Sequence, residues 1–348
     1  MSDYISTNYL SSSLQLSILK MQSAMTTAQT ESTTGQYADL GLQLGAQSGQ
    51  EISLQNENGL LQTYTSTNSM VATSLSTTQS ALTTLQADAQ NALNALTEWT
   101  PQTYSGTSLQ DTGASNMKSL VALSNSAVNG QYVFGGINSA VPPMTDYFAA
   151  PATAQTAIQG AFSTYLAGLS PPATAQTVTA AQMQTFLGSA AFTGLFTGAG
   201  WAANFSSASS TNVTADISPS ESAQTTTNIN QTGFQNLAEA YAMMNEFTGT
   251  GLNENAMQSV VTAASSLVSG AIESLTTTQA TLGATQKRVT DANTDMAAQM
   301  NILQTQISSL DSVNAYQTAT RVNALSTQIQ TAYSLTAALQ KLHLVNYL

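Results

Sequence analysis

The strongest structural signal in the sequence is the stretch "LQNENGLLQTYTSTNSMVATSLSTTQSALTTLQADAQNALNALTEW", from Leu54 to Trp99. Its apolar residues recur every seven positions, with a second series three positions after the first. This is the a/d pattern of a coiled-coil-like helix. We therefore predict one long helix of about 70 Å. Pro101 should end it, because proline lacks the amide donor that a continuing helix needs.

The same seven-residue spacing returns towards the other end of the chain, so we predict that two long helices form a helical rod. The apolar seam of this rod is expected at Leu54, Leu61, Asn68, Leu75, Leu82, Leu96, Leu282, Val289, Met296, Leu303 and Leu310. Asn68 is the polar member of the series, and such an asparagine fixes the register of pairing at some cost in stability. Shorter helices are predicted over Ser115–Val128, Thr232–Glu246 and Asn255–Thr278.

Both chain ends carry a further apolar stripe. After a break in phase near Asp311, the spacing resumes in Val322, Leu325 and Ile329, and we expect it to continue in the same helix towards the C-terminus. One antiparallel helix pair is too small to cover all of these side chains, and chain ends are usually polar or small. We therefore predict an assembly interface made of Leu10, Leu14, Ile18, Met21, Met25, Leu335, Leu339, Leu342, Leu344, Val345 and Leu348.

The middle of the chain has a different composition. Residues 141–220 contain six of the seven prolines, many glycines and β-prone runs such as "NVTADI", and a second such run, "TTTNIN", follows at residues 225–230. The predicted fold is mainly α, a long coiled-coil-like rod formed by the N- and C-terminal segments, with a small α+β domain inserted in the middle. We divide the chain into a terminal-helix segment 1–50, a first rod half 51–140, the insert 141–220, a second rod half 221–311 and a terminal-helix segment 312–348.

Composition excludes several classes of function. Only 7% of the residues are charged and the net charge is −12, so we expect no nucleic-acid partner and no binding to an anionic membrane surface. There is no cysteine and a single histidine, His343, so we expect no enzyme activity, no cofactor and no metal site. The N-terminus lacks the basic and apolar regions of a cleaved signal peptide.

Four stretches resemble the bacterial flagellin superfamily. They are "TTGQYADLGLQLGAQSGQEISLQNE" (Thr33–Glu57), "NGQYVFGG" (Asn129–Gly136), "TLGATQKRV" (Thr281–Val289) and "LHLVNYL" (Leu342–Leu348). Within the superfamily the motifs are most similar to the hook-associated members of the hook–filament junction, in the alphaproteobacterial branch. "NGQYVFGG" resembles the turn into the β-hairpin of those members.

The resemblance implies a structural axial protein that links hook to filament and is exported without a cleaved signal to the extracellular flagellum. The implied partners are the chain itself in a ring, another hook-associated protein on the hook side, flagellin or a second junction protein on the filament side, and a flagellar export chaperone. One alternative is a filament-forming flagellin. Another is a surface adhesin that binds glycans through Tyr147, Phe148 or Trp201, although we expect those rings to form a core.

Overall fold

The computed structural model describes residues 7–100, 106–249 and 251–345. For residues 7, 8, 10, 11 and 339–345 it describes the backbone only. Long helices dominate the fold, and the strands form two small antiparallel hairpins. In chain order the elements are α1 (Thr7–Thr34), α2 (Leu40–Leu44), α3 (Ser48–Glu98), α4 (Gly106–Ser124), β1 (Ala127–Val128), β2 (Gln131–Tyr132), α5 (Thr153–Gly168), α6 (Ala180–Leu187), α7 (Ala190–Thr193), α8 (Gly198–Asn204), β3 (Thr214–Ser218), β4 (Glu221–Gln224), α9 (Thr232–Phe247), α10 (Glu254–Asp311) and α11 (Ala315–Val345).

The chain forms two compact units. The terminal unit comprises Met1–Gln62 and Ala297–Leu348, and the central unit comprises Thr63–Met296. The predicted insert, residues 141–220, lies entirely within the central unit. Hairpin β3–β4 extends past residue 220, because Asp216 on β3 pairs with Ser222 on β4.

In the terminal unit, helices α1 and α11 pack against each other and run antiparallel. Gln22 bonds to Tyr333 near one end, and Glu31 lies by Arg321 near the other, so residue numbers rise along α1 as they fall along α11. Helix α2 follows a bend and is capped by Asp39, whose carboxylate accepts a hydrogen bond from the amide of Leu42. This N-cap satisfies one of the free amides at the helix start.

In the central unit, α3 and α10 run antiparallel and are joined by side-chain hydrogen bonds. Gln79 Nε2 donates to the carbonyl of Gln279 over 2.8 Å, and Gln86 Nε2 donates to Thr276 Oγ1 over 2.6 Å. Polar bonds of this kind replace the ion pairs of ordinary coiled coils, consistent with a chain in which charged residues are scarce.

Helices α4 and α9 pack closely in the same unit, and Gly113 permits the contact. A Cβ atom at Gly113 would lie 2.6 Å from Met244 Cβ and 2.9 Å from the amide nitrogen of Asn245. Since real side chains do not approach so closely, only glycine allows these two helices their present separation.

The predicted fold class is confirmed: the protein is mainly helical, with long terminal helices and a small mixed region between them. The helix predicted from Leu54 is α3, which ends at Glu98 as expected. No helix among the described residues is long and apolar enough to span a membrane.

Three local predictions are wrong. The segments Asn255–Thr278 and Leu282–Leu310 belong to one helix, α10, because no proline interrupts the chain between them. The helix predicted over Ser115–Val128 begins earlier, at Gly106, and ends at Ser124. The run "TTTNIN" forms no strand beyond an isolated bridge at Asn228.

Candidate assembly surface

The inner face of the helix pair α1–α11 carries four of the eleven residues of the predicted assembly interface. Ile18 on α1 and Ile329 on α11 are buried, and Leu14, Met21 and Met25 are half-buried. At the edge of this face, Gln22 Nε2 donates to Tyr333 Oη over 2.7 Å. The predicted residues of α1 that the structure describes are therefore largely covered within a single chain.

Leu335 does not lie on this inner face, which corrects the prediction that the stripe runs through it. Up to residue 338, the covered positions of α11 are Thr318, Val322, Leu325, Ser326, Ile329, Ala332 and Thr336. A step of one residue turns a helix by about 100°, so Leu335 lies well away from Thr336 and is 51% exposed. The side chains of Leu10, Leu339, Leu342, Leu344 and Val345, and all of Leu348, lie outside the described residues.

The outer face of α1 carries a second apolar stripe, which the sequence analysis missed. Tyr9 is exposed, Leu16 is 56% exposed and Leu19 is 62% exposed. At about 100° per residue, these three lie opposite the stripe of Leu14, Ile18 and Met21. The signal was present in the sequence as a second spacing of seven and three residues, which was overlooked because the first stripe had already defined the helix.

Exposed apolar side chains are concentrated in the terminal unit. Thirteen large hydrophobic residues are exposed among those the structure describes, and ten of them are in this unit: Tyr9, Leu16, Leu19, Leu42, Ile52, Leu60, Ile302, Tyr316, Tyr333 and Leu335. Tyr316 is 81% exposed. Contiguous exposed apolar surface on a protein marks an interaction site.

In the terminal unit, hydrogen bonds connect the bend that follows α1 with the bend that precedes α11. The amide of Tyr37 donates to the carbonyl of Asp311 over 2.9 Å, and the amide of Val313 donates to the carbonyl of Gly35 over 3.0 Å. The buried carboxylate of Glu31 accepts from the amide of Ala38 and lies 3.7 Å from the Arg321 guanidinium. These contacts hold the two bends next to each other. They therefore position the end of α1 against the start of α11.

The structure places the predicted seam in the interior of each unit. In the central unit Leu75, Leu82, Leu96, Leu282, Val289 and Met296 are buried; in the terminal unit Leu61 and Leu303 are buried, and Leu54 and Leu310 are half-buried. Asn68 is fully buried and donates to Asn293 Oδ1 on α10 over 2.8 Å and to the carbonyl of Ile217 on β3 over 2.7 Å. It therefore joins α3, α10 and the β3–β4 hairpin.

The aromatic residues considered for glycan binding form a core instead. Tyr147 and Trp201 are buried, and Phe148 is half-buried with Lys118 Nζ 5.2 Å from its ring centre. Because a ring must be exposed to stack on a sugar, Tyr147 and Trp201 cannot serve that purpose. The predicted glycan contacts at these two residues are therefore wrong.

A buried carboxylate network anchors this core to α9. Tyr147 Oη donates to Glu246 Oε1 over 2.9 Å, and Gln155 and Gln159 on α5 also donate to Glu246, over 2.9 and 2.7 Å. Burial raises the pKa of the Tyr147 phenol above its usual value, and the adjacent Glu246 raises it further. The phenol therefore remains a hydrogen-bond donor throughout the physiological pH range.

The described residues also give no support for a metal site. No group of three or more His, Cys, Asp or Glu side chains among the described residues is arranged to hold a metal ion. What the arrangement offers is a helix pair with an uncovered apolar outer face. Such a helix pair is typical of a subunit that packs against other subunits.

Comparison with known families agrees with this class of protein. The model of the bacterial flagellin N-terminal helical region matches residues 5–139, and that of the bacterial flagellin C-terminal helical region matches residues 265–348. Together the matches cover more than half of the chain, at both ends. The chain belongs to the bacterial flagellin superfamily.

Membership defines the coarse function. The flagellin family consists of structural, non-enzymatic proteins that self-assemble into the extracellular polymer of the bacterial flagellum, and this chain is a structural flagellar protein. No curated protein matches the chain.

Proposed function

We propose that the chain is the axial protein that joins hook to filament at the hook–filament junction. The hairpin that follows α4 supports this role. The "NGQYVFGG" stretch supplies the turn and the second strand of the β1–β2 hairpin, and the turn residues Asn129 and Gly130 have φ angles of 52° and 78°. Asparagine and glycine favour this left-handed turn, which matches the twist of two adjacent strands. The small size of the insert also favours a junction role over that of a filament subunit.

The outer stripe of α1 is the observation that carries the assembly part of the proposal. Helix α1 is apolar on two opposite faces, and α11 covers one of them. A helix that is apolar on both sides needs a partner on both sides. In the proposed ring a neighbouring copy covers Leu16 and Leu19, and each leucine buried contributes about 1.5–3 kcal/mol.

The proposed partners follow from the position of the ring. The chain contacts itself in the ring, another hook-associated protein on the hook side, and flagellin or a second junction protein on the filament side. Before assembly a flagellar export chaperone binds it, and it is exported without a cleaved signal. With a net charge of −12 and no basic stripe, the chain is proposed to bind neither nucleic acid nor membrane.

A second candidate is a filament-forming flagellin. The observation in its favour is that both matching family models describe flagellin helical regions, which filament subunits also possess. The two roles differ in copy number, because a junction needs a single ring of subunits and a filament needs thousands.

Deletion of the gene distinguishes the two roles. For a junction protein, electron micrographs should show hooks without filaments, and flagellin should be found in the culture medium because it is exported but not attached. A plasmid copy of the gene should restore the filaments. Loss of filaments with no flagellin in the medium would instead identify the chain as the filament subunit, and normal filaments would contradict both roles.

A further inference from the structure

The central unit contains a cleft that plays no part in assembly as described above. It has a volume of about 470 Å³ and is lined by residues of α6, α9 and α10. Its apolar wall includes Leu187, Met243 and Leu267, and its polar wall includes Ser259 and Thr262. Glu239, on α9, lines the same cleft.

Glu239 is an exception among the buried carboxyl groups of α9. Its side chain is only 7% exposed, and no hydrogen-bond donor or cation among the described residues reaches it. Glu246, two helical turns further along α9, is equally buried but accepts hydrogen bonds from Tyr147, Gln155, Gln159 and Asn245. Burial of a carboxylate without a partner is unfavourable. Hydrogen bonds offset the burial of Glu246, but no such bonds offset the burial of Glu239.

We propose that the cleft binds an organic cation, a primary ammonium group on an aliphatic chain. The Glu239 carboxylate would accept hydrogen bonds from the ammonium group, and the wall of Leu187, Met243 and Leu267 would cover the alkyl chain. A net charge of −12 favours cations over anions throughout the approach to the cleft. This inference does not depend on whether the chain acts at the junction or in the filament.

The proposal has a consequence for pH. Desolvation raises the pKa of Glu239 to about 7, so the empty cleft holds a carboxyl group that is largely protonated at pH 6. Binding of an ammonium ion requires the carboxylate, so the proton leaves to the solvent as the cation enters. Glu239 is the titratable residue among those that line the cleft; α6 contributes Gln184 and α10 contributes Gln258, Ser259 and Thr262, none of which is charged.

The test uses n-hexylammonium as the probe, with the full-length monomer in phosphate buffer. Saturation-transfer NMR should show a dissociation constant in the millimolar range at pH 8, as is typical of a ligand with so few atoms. Binding should be roughly tenfold weaker at pH 6, the change expected for a carboxyl group with a pKa near 7. Hexanoate should not bind, and 1-hexanol should bind more weakly than the amine.

Two variants separate the carboxylate from the general charge of the protein. Glu239→Gln should weaken binding of n-hexylammonium at pH 8 at least tenfold, while Glu273→Gln, at an exposed position of α10, should leave it unchanged. Circular dichroism of both variants should match that of the parent. Equal binding of amine and alcohol, retention of binding in Glu239→Gln, or no saturation by n-hexylammonium at pH 8 would each overturn the proposal.

Discussion

The terminal and central units of this protein differ in how many of their apolar side chains are buried and how many are exposed. The central unit contains every ring–ring contact recorded among the described residues, including the stacked pair Trp201 and Phe205, and most of the buried hydrophobic side chains. Among the described side chains of the terminal unit, few hydrophobic residues are buried: Ile18, Ala28, Leu61, Leu303, Ile307 and Ile329. That unit nevertheless contains ten of the thirteen large hydrophobic side chains that are exposed in the described part of the chain.

This difference indicates two sources of stability. The central unit has a core that its own residues complete, so its folding should not depend on other subunits. The terminal unit leaves apolar surface uncovered, and we propose that assembly with other copies completes the burial of this surface. The predictions below, from the largest effect on stability to the smallest, test whether apolar residues have these separate roles.

The largest effect is expected for Leu75→Asp in the central unit. Leu75 is fully buried on α3, and an aspartate there would be an unpaired charge among apolar side chains. The free energy of unfolding should fall by roughly 4 kcal/mol or more. Urea denaturation of the monomer measures the change. An unaltered midpoint would show that the seam does not support the central unit.

The next largest effect is expected for Glu239→Gln, which should raise the free energy of unfolding in a pH-dependent way. Because the folded pKa of Glu239 is about 7, above its ordinary value of 4.5, its contribution to stability is fully present below pH 4.5 and is lost as the pH rises through 7. Glutamine has no such dependence. Glu239→Gln should therefore exceed the parent in stability by about 3 kcal/mol at pH 8, and the difference should largely disappear at pH 4.5.

Glu246→Gln is the matched control for this pH dependence. Glu246 accepts several hydrogen bonds from neutral donors, so the substitution should lower stability at both pH values. Urea denaturation in phosphate or acetate buffer, free of amines, measures both variants. A gain for Glu239→Gln that is as large at pH 4.5 as at pH 8 would contradict the assignment.

A smaller loss is expected for Gly113→Ala. The new Cβ would lie 2.6 Å from Met244 Cβ, so α4 and α9 must move apart, at a cost of about 1–3 kcal/mol. Gly160→Ala on α5 is the control, because its new Cβ would meet no atom within 4 Å. That variant should be stabilised by up to about 1 kcal/mol through helix propensity. Thermal unfolding that ranks the two variants in the reverse order would contradict the close contact.

The part of the fold that could be predicted is the part encoded by local spacing. The seven-residue repeat from Leu54 defines α3 without reference to any other segment, and the repeat from Leu282 identifies its partner helix. Gly113 and Glu239 could not be interpreted in this way, since their roles depend on residues brought close by folding. Nothing near Gly113 in the sequence indicates that Met244, far along the chain, will lie against it.

The assembly surface could be predicted only in part, for a related reason. The stripe of Leu14, Ile18 and Met21 was recognised as apolar, but the sequence does not state which of two apolar stripes faces the partner helix. The structure assigns this stripe to the inner face and leaves Leu16 and Leu19 outside. For Leu335, a shift of one residue relative to Thr336 was enough to place it away from the inner face.

The smallest effect on monomer stability is expected for Leu16→Asp combined with Leu19→Asp. Both side chains are more than half exposed, so each substitution should change the free energy of unfolding by no more than about 0.5 kcal/mol. The same pair should have a large effect on assembly, since two charges would be buried without partners at the subunit contact. Thermal unfolding of the monomer checks the first half of this expectation.

The most direct test of the central claim is sedimentation and electron microscopy of the purified double variant under conditions in which the parent protein polymerises. A second double variant, Asn91→Asp with Asn94→Asp, places two charges with the same spacing at exposed polar positions of α3 in the central unit and serves as the control. We predict that the parent and the control assemble, while the Leu16→Asp, Leu19→Asp variant remains monomeric with an unchanged melting temperature. Normal assembly of the leucine variant would contradict the claim that the outer face of α1 is the surface completed by neighbouring subunits.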